Sequence, residues 1–368
     1  MLLNTDSVVH YALQKGFIDL DSVVGGDLTV VEAHRRNRNF KLMQQRHPGL
    51  FVKQVQQLEP QAMATLRRES VCYSMAREIP ELAALAGLLP GFCAYDPVRH
   101  VLVLELLTGY ETLAEYHYRR GAFPVEVATL LAHALGNYHR DTRDTLEKAT
   151  HASVFPKTAP WVLSMHRQQP EWFQSLSAAN SQLLQIVKQY DQFASTLDAL
   201  RAHWHFGGLI HGDMKWDNCL IKADGQGGEP VLKIVDWELS DLGDPLWDVA
   251  AILQSYLSHW ILSMPITAGA QVEQIIAGGP WPLETMQVPM RAFWNTYREV
   301  AAIPTKQRKE LLLRTIRYGA ARMIQTAYES LSFAVQVNSN VLYLLQVSMN
   351  ILLNPDEAAS ELFGIAEA

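Results

Sequence analysis

The strongest constraint in this chain is an eight-residue polar stretch, His211-Gly212-Asp213-Met214-Lys215-Trp216-Asp217-Asn218, between Leu209-Ile210 and Cys219-Leu220-Ile221. Short apolar runs on both sides of a polar interruption read as buried strands holding a tight loop. A further strand-like run, Lys233-Ile234-Val235, delivers Asp236 at its C-terminal end, followed by Trp237-Glu238. These are the groups that phosphoryl transfer from a nucleotide needs. One carboxylate orients and deprotonates the attacking hydroxyl, and a carboxylate with an amide holds magnesium on the phosphates.

Asp213 precedes Asn218 by five positions, the separation of the base aspartate and the metal-binding asparagine in the kinase loop H-R-D-x-x-x-x-N. His211 stands where that loop has its histidine. Gly212 replaces the arginine, Asp236-Trp237-Glu238 replaces D-F-G, and Gly243-Asp244-Pro245-Leu246-Trp247-Asp248 follows. In this order, over residues 209–250, the three pieces resemble the aminoglycoside phosphotransferase and choline kinase-like superfamily. The resemblance implies an α+β, bilobal protein kinase-like fold. Its small antiparallel-sheet N-lobe would occupy residues 1–107, and its large, mainly helical C-lobe residues 108–368. It implies ATP and Mg2+ as cofactors, Asp213 as catalytic base, and Asn218 and Asp236 as magnesium ligands. His211 would support the loop by hydrogen bonding, and Asp248 would brace it.

In the N-terminal part, residues 28–33, 39–43 and 51–55 read as strands opening a small antiparallel sheet. Lys53 interrupts an apolar strand, so it lies either at an edge or facing a cleft. The next helix, 61–79, places Glu69, Cys72, Ala76 and Ile79 on one stripe. A solvated glutamate is one reading of Glu69; an inward carboxylate would need a cation, and Lys53 is its natural partner. By resemblance, Lys53 neutralises the α- and β-phosphates and Glu69 positions it. No G-x-G-x-x-G occurs between residues 28 and 53. The turn Arg35-Arg36-Asn37-Arg38-Asn39 takes its place; Arg36 and Arg38 either bind phosphate oxygens or form a solvated basic tip. Residues 90–96 and 98–107 read as two further strands. Family resemblance puts adenine against the backbone at Glu105 and Leu107.

Beyond Gly109 the pattern is helical, with helices expected at 124–139, 182–201, 289–302, 306–332 and 340–353, and a buried helix within 249–266. Residues 223–230 read as an exposed turn-rich tip. His133, His139, His203 and His205 have no convincing metal partners, so capping or packing roles are expected.

A formal net charge of −7 argues against a general nucleic-acid binder. No signal peptide or membrane span is read, which leaves a cytoplasmic location as the default. Cys72, Cys93 and Cys219 lie far apart in apolar surroundings, as expected of buried reduced thiols.

The acceptor is least constrained. A small-molecule hydroxyl is the first reading: an aminoglycoside-like sugar, an amino alcohol such as choline, or a macrolide. Asp217, Asp241 and Asp244 would supply an acidic cleft for a cationic acceptor. A Ser/Thr peptide is the second. Lys215, two residues after the base as in Ser/Thr protein kinases, and residues 30–53 resemble the kinase components of class V lanthipeptide synthetases, which work with a partner lyase. Whatever the acceptor, Lys215 would stabilise charge on the γ-phosphoryl oxygens, the alternative being a solvated loop lysine. A catalytically dead nucleotide-binding module is the third reading. It would normally lack the lysine, the base or a metal ligand, and all are present.

Overall fold

The computed structural model describes residues 2–367 apart from 34–36, 146–152, 168–176, 224–229, 266–268 and 270. The chain opens with helices α1 (Thr5–Gln14) and α2 (Leu20–Val24), then strands β1 (Leu28–Glu32), β2 (Asn37–Gln44) and β3 (Leu50–Val55). Helices α3 (Pro60–Glu78) and α4 (Ala83–Leu88) precede β4 (Phe92–Asp96), β5 (Val101–Glu105) and β6 (Glu111–Thr112). Helices α5 (Leu113–Arg120), α6 (Val125–Thr145), α7 (Ala178–Gln189) and α8 (Asp191–Ala202) follow. Four short strands come next: β7 (Gly208–Ile210), β8 (Cys219–Lys222), β9 (Val231–Ile234) and β10 (Asp241–Gly243). The chain ends in α9 (Leu246–Ser263), α10 (Val272–Ala277), α11 (Glu284–Val300), α12 (Thr305–Ser330), α13 (Ser339–Leu353) and α14 (Pro355–Glu361).

Two units emerge. The first comprises Met1–Tyr116, Lys148–Phe155 and Asp217–Ser240; the second comprises His117–Glu147, Pro156–Trp216 and Asp241–Ala368. The division differs from a single break after residue 107. The segment carrying Asn218 and Asp236 is grouped with the N-terminal sheet.

In the first unit an antiparallel sheet runs β1-β2-β3-β5-β4. Alternation along its strands decides which side each residue serves. Phe40, Leu42, Leu50, Val52, Val101 and Val103 pack with Val8, Tyr11 and Ala12 of α1. Lys53, one residue on from Val52, therefore projects from the opposite face, where α3 packs on β3. The helix α1 is held by a capping box between Asn4 and Ser7, and α3 begins on Pro60, whose fixed φ suits a first turn. A second sheet, β6-β8-β9, pairs Cys219 with Ile234.

The second unit is built around α9, buried on nearly every side from Leu246 to Ile261, as a helix apolar all round must be. Helices α12 and α13 pack on it, α11 packs on α6, and β7 pairs antiparallel with β10.

Local expectations fail in three places. Residues 182–201 form two helices, because Tyr190 is extended (φ −105°, ψ 105°); the apolar period continues across the break and conceals it. The strand β2 starts at Asn37, so Asn37 and Arg38 pair with Val55 and Gln54 instead of forming a turn. Cys93 is exposed, whereas Cys72 and Cys219 are buried; all three thiols are free. Of the tip at 223–230, residues 224–229 lie outside the described residues. Among the described residues no helix is long and apolar enough to cross a membrane.

Candidate active site

Two clusters of ionised groups stand out, one in each unit. In the first, Lys53 is buried from β3 with its Nζ 2.7 Å from Glu69 Oε2, 2.5 Å from Asp236 Oδ1 and 3.2 Å from Glu238 Oε2. The apolar stripe of α3 turns Glu69 inward, and β9 ends at Ile234, two residues before Asp236. Asp236 adopts a left-handed conformation (φ 69°) that turns the chain sharply into Trp237-Glu238. Asn37 Nδ2 donates to Glu238 Oε2 at 2.7 Å. Asn218 is placed by the second sheet: its carbonyl accepts from Val235 N–H at 3.0 Å, and its side chain is buried just before β8.

Burial alone would lower the Lys53 pKa, but Glu69, Asp236 and Glu238 together raise it above the ordinary lysine value. Burial and the neighbouring carboxylates of Asp236 and Glu238 push Glu69 up to about 7, against the pull of Lys53. One ammonium among three carboxylates leaves an excess of negative charge, which a divalent cation would neutralise. Glu69, Asp236 and Glu238 offer oxygens within 4.8 Å of one another, but the ammonium occupies their centre. Asp236 is nearly half exposed, and the buried Asn218 of the same unit carries an amide. Carboxylate and amide oxygens of this kind fit magnesium.

In the second unit the loop after β7 is built on Asp248. His211 N–H donates to its Oδ2 at 2.6 Å and Gly212 N–H to its Oδ1 at 3.1 Å. Tyr138 OH donates to Oδ2 at 2.7 Å. Desolvation opposes ionisation of Asp248, yet His139 and His211 hold its carboxyl below the usual range. Gly212 has φ 79°, a conformation open to glycine at little cost, and its carbonyl accepts from Trp247 Nε1 at 3.2 Å. His211, fully buried, accepts the Asp213 N–H on Nδ1 at 3.3 Å. Asp213 is thereby presented with Oδ2 2.8 Å from Lys215 Nζ and Oδ1 3.3 Å from Arg322 Nη2. Burial would raise its pKa, but Arg322 and Lys215 bring it below the ordinary carboxylate value.

The Glu105 N–H donates to Gly91 O at 2.8 Å and its carboxylate accepts from Gly91 N–H at 3.1 Å; Leu107 lies two residues beyond the end of β5. Arg38 Nη1 donates to Leu3 O at 3.1 Å, a contact internal to the sheet's covering segment. Arg36 lies outside the described residues. The acidic cleft for a cationic acceptor is not formed by Asp241 or Asp244. Asp241 is buried and accepts from the backbone N–H groups of Lys157, Thr158 and Leu242. Asp244 is buried and accepts from Leu246 N–H and Tyr318 OH, with Arg314 3.6 Å away. Both carboxylates tie loops together. Arg322 was missed by the sequence reading. Its signal was a charge at i+3 from Gly319 and i+7 from Thr315 on the buried face of α12.

The sequence matches the phosphotransferase enzyme family over residues 27–283. The chain belongs to that family. It is a kinase. Among solved structures it is similar to a choline kinase from Cryptosporidium parvum Iowa II, with a TM-score of 0.55, 11% identity, and 97% of this chain and 96% of that one covered. It is similar to a glucosamine kinase bound to glucosamine, ADP and inorganic phosphate (TM-score 0.51, 15% identity, 89% and 82% covered). It is also similar to APH(2")-IIa in its streptomycin and ATP complex (TM-score 0.50, 12% identity, 96% and 99% covered). At such identities these likenesses establish the fold, α+β and bilobal of protein kinase type. In sequence, the chain is 35% identical over 98 residues to acyl-CoA dehydrogenase family member 10 of Mus musculus. That match spans 24% of this chain and only 9% of the mouse protein.

Proposed function

We propose that this phosphotransferase moves the γ-phosphoryl group of ATP, with Mg2+, to the hydroxyl of a small molecule. The observation that carries the reading is the cluster around Lys53, in which one ammonium meets three carboxylates and the excess negative charge calls for a divalent ion. Asn218 and Asp236 would hold magnesium, which on binding would neutralise charge on the phosphates. Lys53 would bind the α- and β-phosphates, kept in place by Glu69, and the backbone of Glu105 and Leu107 would meet adenine. Asp213 would orient the acceptor hydroxyl and take its proton, with Lys215 beside it. The solved relatives named above that hold nucleotide together with a sugar or an aminoglycoside support this reading.

A Ser/Thr peptide acceptor is favoured by one contact. Lys215 lies on Asp213 at 2.8 Å, two residues after the base as in protein kinases. The commitment of Asp241 and Asp244 to backbone amides also removes support for a polycationic acceptor. A partner lyase would accompany such a kinase. Buried free thiols suit a reducing compartment, and we place the reaction in the cytoplasm.

The test is phosphate transfer from ATP, with Mg2+, to a panel of aminoglycosides, glucosamine, choline, ethanolamine and Ser/Thr peptides. Asp213→Asn is expected to lower transfer by roughly 10²–10⁴-fold, and Asp236→Ala to abolish the magnesium-dependent rate. Unchanged turnover in both variants would refute the assignment.

A further inference from the structure

The roles above leave Arg322 without an explanation. It comes from α12, 109 residues along the chain from Asp213. It is 2% exposed, and its guanidinium lies over the Trp247 ring at 5.5 Å. Nη2 donates to Asp213 Oδ1 at 3.3 Å and to Met214 O at 3.5 Å. Nε and Nη1 are buried and have no hydrogen-bond partner among the described residues. A buried cation with unmade hydrogen bonds costs free energy. Apolar replacements of buried ions commonly leave stability unchanged or higher. Stability therefore does not account for an arginine at this position.

The two oxygens of Asp213 are held unequally. Oδ1 is held by one nitrogen, Nη2, of a planar guanidinium on a buried helix face. Oδ2 is held by Lys215, which is one-third exposed and also lies 3.7 Å from Glu329 Oε2. An exposed lysine with a second partner within reach can change places at little cost; a buried guanidinium packed on an indole cannot.

We propose that Arg322 is the positioning residue of the base: it anchors Asp213 through Oδ1, while Lys215 moves toward Glu329 and yields Oδ2 to the acceptor hydroxyl. The acceptor O–H proton passes to Oδ2 as the acceptor oxygen–phosphorus bond forms. The bond from the γ-phosphorus to the bridging oxygen breaks, and its electron pair leaves with ADP. The proposal rests on the reading of Asp213 as the residue that orients the hydroxyl.

The experiment compares wild type, Arg322→Met, Arg322→Lys, Asp213→Asn and the Arg322→Met/Asp213→Asn double variant. ADP formation is measured with Mg-ATP and the best acceptor of the panel, alongside thermal unfolding. Arg322→Met is expected to lower kcat on the order of a hundredfold, as misplacement of a reacting group does, with KM for ATP within about twofold and Tm equal or higher. Arg322→Lys is expected to recover part of kcat. The double variant is expected to be no worse than Asp213→Asn, since the two residues act as a unit. Full kcat in Arg322→Met with Asp213→Asn inactive overturns the proposal and leaves the base standing. So does a loss that multiplies onto that of Asp213→Asn. Unfolding of Arg322→Met overturns it too, because the stability argument would be wrong. An active Asp213→Asn removes the base, and the role of Arg322 with it.

Discussion

The ionised clusters of the two units are built to opposite rules. Around Lys53 a single cation serves three carboxylates, Glu69, Asp236 and Glu238. Around Asp213 a single carboxylate is served by two cations, Lys215 and Arg322. The first has an excess of negative charge and raises the pKa of Lys53 and Glu69; the second has an excess of positive charge and lowers that of Asp213. The difference teaches how one fold assigns different tasks to carboxylates. A cluster short of positive charge suits a magnesium-nucleotide complex. A carboxylate flanked by cations stays ionised and directed, and so suits the orientation of a hydroxyl more than strong proton abstraction.

The largest effect expected from breaking this comparison comes from Lys53. Lys53→Ala leaves three carboxylates without their common cation in a buried setting, and removing one partner of such a set costs about 3–5 kcal/mol. A large drop in Tm by calorimetry, together with loss of turnover, is the expected result, in contrast to Arg322→Met. Equal stability in the two variants would erase the contrast between the clusters.

A smaller effect concerns pH. The Asp213 carboxyl has a folded pKa below its unfolded value. The stability it contributes is present above about pH 4, the ordinary aspartate range, and is lost as pH falls through the lower folded value. Between about pH 5 and 8 this group should not titrate, so it should impose no acid limb on kcat. A limb in that interval that vanishes in Asp213→Glu would show that the two cations do not hold the base ionised.

The smallest effect is chemical. Cys72 lies one turn from Glu69 on α3, its Sγ 3.0 Å from Ser240 Oγ, and burial pushes its thiol up to about 12. A charged thiol reagent should label Cys93 alone in the folded protein and all three cysteines once it is unfolded. Rapid labelling of Cys72 in the native state would mean that the Glu69 side of α3 is open to water.

Much of the first cluster was legible beforehand, because it is written in local periods. Lys53 breaks a strand of apolar residues, and Glu69 falls on the stripe of α3 with Cys72 and Ala76. Strand alternation and helical spacing thus place both on inward faces without knowledge of the tertiary contacts. Glu238 and Asn37 were not anticipated as partners, since 201 residues separate them and no local period links them. The break at Tyr190 was hidden for the converse reason: the apolar spacing on either side stays in phase, and only the backbone departs from it. Asp241 and Asp244 misled because an acid near the catalytic loop in sequence looks available. Their fate as anchors for backbone amides depends on which loops pass by.

By itself, then, the sequence determined the family's loop, the strand ends that carry Asn218 and Asp236, and the lysine–glutamate pair, since each depends on spacing within one or two elements. The tertiary structure alone decided that Arg322 reaches Asp213, that Glu238 joins Lys53, and that Asp241 and Asp244 are occupied. Those outcomes depend on long-range packing, where a buried charge takes whatever partner the fold brings within about 3 Å.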